Sequence, residues 1–255
     1  VSRYRTLLAF LLLSAIWGAS FVAIKAGLEY FPPVLFAALR YDVAAVCMLV
    51  YAAYATGHAI PRGRGEWALV GIGGLFLIAG YHAFLFIGQQ GVTSAMAAVV
   101  VSLSPVLTTA FARILLPSER LAPLGLVGMA LGLVGVVVLA RPEPGNLLGT
   151  DVVATGLVLA AAAAFALGSV LLRRSEATLP IETLEGWSMA LGALVMHAVS
   201  AAMPGESVAA IEWTPEAVGA LVYLSVVASA VGFLLYFDLL RRLGPVEINL
   251  VSLQY

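Results

Sequence analysis

The chain has 255 residues, 62% of them apolar and 11% charged, with a mean hydropathy of +1.03 and a net charge of −1. Such values exclude an ordinary soluble domain, and basic residues that come in pairs without forming a tract give no footprint for nucleic acid. A lone Cys47 excludes an intrachain disulfide and any cysteine-based metal site.

A bilayer core is crossed by about 20 mostly apolar residues in helix. Nine stretches satisfy this: 7–27, 34–55, 67–88, 93–116, 121–140, 149–172, 183–203, 215–239 and one opening near Pro245. The first follows Arg3 and Arg5 as a secretory leader would. Its apolar run continues past Trp17 to Lys25 with no Ala-x-Ala exit, so it reads as a span. Basic residues gather in alternate gaps: Arg3 and Arg5, Arg62 and Arg64, Arg113 and Arg120, Arg173 and Arg174, Arg241 and Arg242. The other gaps hold Glu29, then Glu143 and Asp151 beside Arg141, then Glu206, Glu212 and Glu216. Short arginine-rich loops stay in the cytoplasm. The pattern predicts a multi-pass protein of the plasma or inner membrane with a cytoplasmic N-terminus.

Ionisable groups within a span are costly, about 2.5–3.5 kcal/mol for a central Arg, Lys or Asp. Lys25 lies near the outer end of span one, where it can snorkel or pair with Glu29. Arg40 lies about two turns into span two and needs a carboxylate, backbone carbonyls or a substrate anion. Asp42 falls on another face, because two residues turn a helix by about 200°. In span three, Tyr81 precedes His82, which shares a face with Phe86 and Gln89 and reads either as an interhelical hydrogen bond or as a cavity wall. In span four, Ala95, Ala98, Ser102 and Thr109 share one side with Pro105. Pro105 lacks an N–H, frees the Val101 carbonyl and predicts a kink that can present backbone to a ligand. Gly125, Gly128, Gly132 and Gly135 in span five suit close helix packing, with a homodimer seam as the alternative. His197 in span seven sits among apolar neighbours and reads as packing.

A weak repeat joins the two halves. Ala15-Ile16-Trp17-Gly18-Ala19-Ser20-Phe21 with Lys25 lies over Ala163-Ala164-Phe165-Ala166-Leu167-Gly168-Ser169 with Arg173, the aromatic-to-cation spacing being eight in both. Phe84-Leu85-Phe86 with Gly91 matches Phe237-Asp238-Leu239 with Gly244. Five spans separate the copies, so the second is upside down, the architecture of many secondary transporters. The period predicts a ten-span bundle of two five-span repeats, 1–141 and 142–255, the second incomplete because the chain stops within span nine.

These residues resemble the EamA-type branch of the drug/metabolite transporter superfamily. The resemblance rests on Trp17-Gly18 with Phe21 and Lys25, Pro33 with Arg40, and Ser94-Ala95 through Leu103-Ser104-Pro105-Val106. Glu119-Arg120-Leu121 before a glycine-rich span, and Tyr236 through Leu239-Leu240-Arg241-Arg242-Leu243, add to it. It implies an all-α, ten-span inverted repeat that moves small metabolites such as amino acids outward, with lipid and a small substrate as partners. A substrate pathway is expected along Trp17, Ser20, Arg40, Tyr81, His82, Gln89, Ala98, Ser102, Pro105, Phe165 and Ser169. The rivals are a structural membrane subunit and a membrane-embedded enzyme. Gly186-Trp187-Ser188 lacks the second glycine of a nucleophile elbow, no phosphate loop occurs, and no metal or cofactor is expected.

Overall fold

The computed structural model describes residues 3–116 and 150–243, with positions 128, 130, 131, 134, 135 and 138 between them. The described chain is helical: α1 (Arg3–Gly27), α2 (Pro33–Ala55), α3 (Arg64–Gln89), α4 (Ser94–Leu115), α5 (Thr150–Arg174), α6 (Ile181–Ala202) and α7, which runs through Pro215–Val222, Tyr223–Val231 and Gly232–Leu243. Among the described residues, six helices are long and apolar enough to cross a membrane, namely α1 to α5 and α7. Helix α6 coincides with the predicted span 183–203 but is not one of the six. Glu182, Glu185, Ser188, His197 and Ser200 make it more polar than its neighbours. The predicted span 121–140, apart from the isolated positions, and the one opening near Pro245 lie outside the described residues.

Local chemistry sets the helix ends. Pro33 and Pro215 stand in first turns, where a missing N–H costs nothing. Thr93 and Thr214 cap α4 and α7 by accepting from the Met96 and Ala217 N–H groups at 3.2 and 3.1 Å. Lys25 bridges helices rather than pairing with Glu29. Its Nζ donates to the Gln89 and Gln90 carbonyls at 2.8 and 2.9 Å, where the end of α3 concentrates negative partial charge.

Glu206, in the α6–α7 connection, caps α2 from outside its own segment. Its carboxylate accepts from the Val34 and Leu35 N–H groups at 2.8 and 2.7 Å and from the Ser200 hydroxyl at 3.1 Å. Glu206→Ala should therefore cost about 2 kcal/mol, read as a lower thermal midpoint in detergent. Glu206→Gln, which offers one acceptor oxygen for three donors, should fall between.

Helix α6 packs along α2 and the middle of α3, α5 along α3 and the second half of α4, and α1 along α7. Lipid offers no hydrophobic drive for this, so the helices associate by close van der Waals fit through small residues. Helix α6 approaches α3 closely. A Cβ on Gly192 would meet the Ile78 side chain at 2.4 Å and the Gly74 carbonyl oxygen at 3.1 Å. The expected glycine face of span five lies largely outside the described residues. Gly125 and Gly132 lie outside the described residues, while a Cβ on Gly128 or Gly135 would touch nothing within 4 Å among them.

Two helices widen into π turns, Gly73–Gly80 in α3 and Tyr223–Val231 in α7. The register that lays Phe84 over Phe237 lays Gly73–Gly80 over residues 226–233, so the two wide turns overlap in the repeat. π turns leave carbonyls to be satisfied by side chains. In α7 the Trp17 indole N–H donates to the Ala228 carbonyl at 3.1 Å, and the Ser229 hydroxyl donates to the Leu224 carbonyl at 2.9 Å.

Candidate functional site

All seven helices face one internal cavity of about 330 Å³, in the range of small-ligand sites. Trp17, Ser20, Phe21 and Ile24 come from α1, Arg40 and Tyr41 from α2, and Leu77, Ile78, Tyr81, His82 and Leu85 from α3. Val101 and Ser104 of α4, Phe165 and Ser169 of α5, and Ile181 and Glu185 of α6 continue the wall. Ala228, Phe233 and Tyr236 of α7 close it.

Seven of the eleven expected pathway residues therefore meet here: Trp17, Ser20, Arg40, Tyr81, His82, Phe165 and Ser169. Trp17 and Phe165, which the repeat aligns, wall the cavity from different helices. Trp17 stands 5.7 Å from Tyr236 and 5.9 Å from Phe233 between ring centroids, and Phe165 stands 5.6 Å from Tyr81. Ser20 and Ser169 donate to carbonyls one turn back, Ile16 at 2.9 Å and Phe165 at 2.8 Å, leaving their oxygens to accept.

Four expected residues do not line the cavity. Gln89 is fully buried behind it, its amide donating to the Phe21 carbonyl, to which Ser94 also donates. In α4 the expected face is turned away. Val101 and Ser104 line the cavity, whereas Ala98 is half-buried against the core and the Ser102 hydroxyl donates to the Val99 carbonyl at 2.6 Å. Pro105 does break the helix, between Val101 and Ser104. The carbonyl it frees is not offered to a ligand, because the Ser104 hydroxyl donates to Val101 O at 2.7 Å. The face was misjudged because two residues of turn at the break re-phase the helix, which a constant 3.6-residue period cannot anticipate.

Arg40 is 6% exposed. Its Nε donates to the Ser229 hydroxyl at 3.2 Å and its guanidinium carbon lies 5.0 Å from the Tyr41 ring centroid. No carboxylate stands within ion-pair distance of it among the described residues. A planar fork with most of its donors unused, at the wall of a cavity, is suited to a bidentate oxyanion.

His82 is both a wall and an interhelical bond. Its Nδ1 lies 2.9 Å from the Ile78 carbonyl, which can only accept, so Nδ1 carries the proton. Nε2, 2.7 Å from the Tyr41 hydroxyl, completes the link from α3 to α2. Asp42 and His197, read separately in the sequence, form one pair across α2 and α6 at 2.7 Å, so His197 does more than pack.

The sequence reading missed Tyr41, Ser104, Tyr236 and above all Glu185 as cavity residues. Glu185 falls near the start of its span, where a charge ordinarily marks a water-facing end. Among the described residues no group of three or more His, Cys, Asp or Glu is placed to hold a metal ion.

Comparison with known proteins agrees with this arrangement. The EamA-like transporter family matches residues 5–141 and 153–253. An Escherichia coli K12 protein named "Uncharacterized inner membrane transporter YedA" is 32% identical over 249 residues, 95% of this chain and 78% of that one. A Salmonella typhimurium protein named "Probable amino-acid metabolite efflux pump" is 30% identical over 254 residues, 95% of this chain and 80% of its own length. A crystal structure described only as that of a protein superposes with a TM-score of 0.64 at 27% identity, covering 99% of this chain and 85% of the other. The family match in both halves, with a cavity shared by helices of both, leads to one conclusion: the chain belongs to the EamA-like transporter family and is a multi-pass membrane transporter, not an enzyme.

Proposed function

We propose that the protein is a secondary exporter of small metabolites, amino acids or related compounds, in the inner membrane. Two inverted halves, 1–141 and 142–255, rock about the cavity so that it opens to one side at a time. The alternation of arginine and acidic gaps supports a cytoplasmic N-terminus. The observation that carries the reading is the shared cavity, walled by repeat-related Trp17 and Phe165 and bearing the unpaired fork of Arg40. Aromatic walls with a few placed polar groups suit a small molecule that has an apolar body and a carboxylate. The similarity to a protein named as an amino-acid metabolite efflux pump supports the substrate class.

The test is release of amino acids from vesicles. The full chain, reconstituted into liposomes loaded with the twenty protein amino acids, should release a subset faster than protein-free vesicles, measured by mass spectrometry of the outside medium. Trp17→Ala should slow that release. A protein that melts cooperatively yet releases none of them would be a structural subunit or carry another cargo.

A further inference from the structure

We infer that Glu185 is the cation-binding group of the cavity, taking a primary ammonium of the cargo in competition with protons. The inference deepens the exporter reading and rests on it for the word cargo. Glu185 projects from α6 into the cavity, yet it accepts no hydrogen bond and joins no ion pair among the described residues. Half-buried in the cavity wall, its charged form is compensated neither by a donor nor by a cation among the described residues, and a carboxylate there favours one or the other.

Arg40 does not fill that role. Gly186 packs against Leu49 of α2, and Leu49 is nine residues beyond Arg40, about 13 Å of helix rise. The two charges thus mark separate ends of one cavity: an oxyanion end at Arg40 and a cation end at Glu185. Among the described residues, the other ionisable groups facing that cavity are Arg40 and Tyr41 from α2, Tyr81 and His82 from α3, and Tyr236 from α7; the described lining residues of α1, α4 and α5 bring none. On α6 itself, Glu182 has its own interaction and His197 is held by Asp42. Three of the facing groups are phenols, and both ring nitrogens of His82 are taken by the Ile78 carbonyl and the Tyr41 hydroxyl, so none of these is placed against Glu185 as a cation.

A single carboxylate holds a proton or an ammonium, not both. Loss of the proton to water opens the site to R–NH3⁺, and uptake of a proton ejects it, one for one. Exchange of this kind would couple outward movement of the cargo to inward movement of a proton.

A hydrophobic carbodiimide tests the site without assuming a substrate, because it adds to a protonated carboxyl in apolar surroundings and leaves an N-acylurea at a mass-identifiable residue. In the purified full chain, Glu185 should be labelled and Glu185→Gln should lose that label. Phenethylamine should slow labelling by about tenfold near neutral pH, and protection should vanish as the pH falls from about 8 to about 5, where protons take the carboxylate. Phenylpropionate, the same body with a carboxylate in place of the ammonium, should not protect. No label at Glu185, or protection by neither or equally by both compounds, overturns the inference. Labelling and protection in a protein that releases no amino acids from vesicles would uphold this site and overturn the exporter reading. Amino-acid release without phenethylamine protection would do the reverse.

Discussion

Replacing Arg40 with methionine should leave a folded protein whose export of a carboxylate-bearing cargo falls by about thirty-fold or more. The structural loss is small. Arg40 gives up one 3.2 Å bond to a neutral hydroxyl, a contribution of about 1 kcal/mol, and Ser229 keeps its bond to the Leu224 carbonyl. Methionine also gives up the guanidinium that lies 5.0 Å from the Tyr41 ring centroid, about 1 kcal/mol more. The functional loss is large, because truncating one partner of a desolvated charged pair costs about 2–5 kcal/mol, or some thirty- to several-thousand-fold. Arg40→Lys should fall between, since the charge remains but the two-pronged fork does not. Thermal melts run beside vesicle efflux separate the alternatives. A collapse in melting temperature would make Arg40 a helix clamp, and normal stability with normal export would leave it neither clamp nor ligand.

The largest effect on folding is expected at Gly192. Even alanine there would place its Cβ 2.4 Å from the Ile78 side chain, with the Gly74 carbonyl oxygen at 3.1 Å behind it. Helices α6 and α3 would have to separate, and α6 is the element that also packs along α2. Overpacking of a tight site costs about 1–3 kcal/mol, occasionally more, and leucine at this backbone approach belongs at the upper end. Gly192→Leu should therefore give little monodisperse protein on size exclusion in detergent. Gly192→Ala should melt early and be restored in part by Ile78→Gly, which removes both clashing atoms, Cγ2 at 2.4 Å and Cβ at 2.5 Å, whereas Ile78→Ala keeps the Cβ and should not restore it. Failure of that rescue would locate the constraint in the Gly74 backbone instead.

The helix positions were legible because hydropathy and helix length are local properties, though α6 is not among the six span-like helices. Prediction and structure agree within a few residues for α1 to α7, down to Pro33 and Thr93 at helix starts. The family resemblance was legible in Trp17-Gly18 and in the stretch through Ser104-Pro105. Less could be read of α4. Pro105 announced a break, but which face the break turned toward the cavity depended on two residues of turn, and Ser104 replaced Ser102 as the lining hydroxyl.

Composition and charge placement by themselves determined that the chain crosses a bilayer many times, because backbone groups in lipid must be satisfied within a helix and arginine-rich loops resist translocation. Local order also determined that the two halves echo each other. Partnership between distant residues was decided only by the tertiary structure. Asp42 found His197, Glu206 found the first turn of α2, Lys25 found the end of α3, and Arg40 found a hydroxyl in a widened turn of α7. Each of these pairs joins residues at least 60 positions apart, and a sequence period holds no information about which helices touch. Glu185 shows the same limit: its place in the chain suggests a water-facing helix end, whereas the packing of α2, α3 and α7 around it makes it the wall of a cavity.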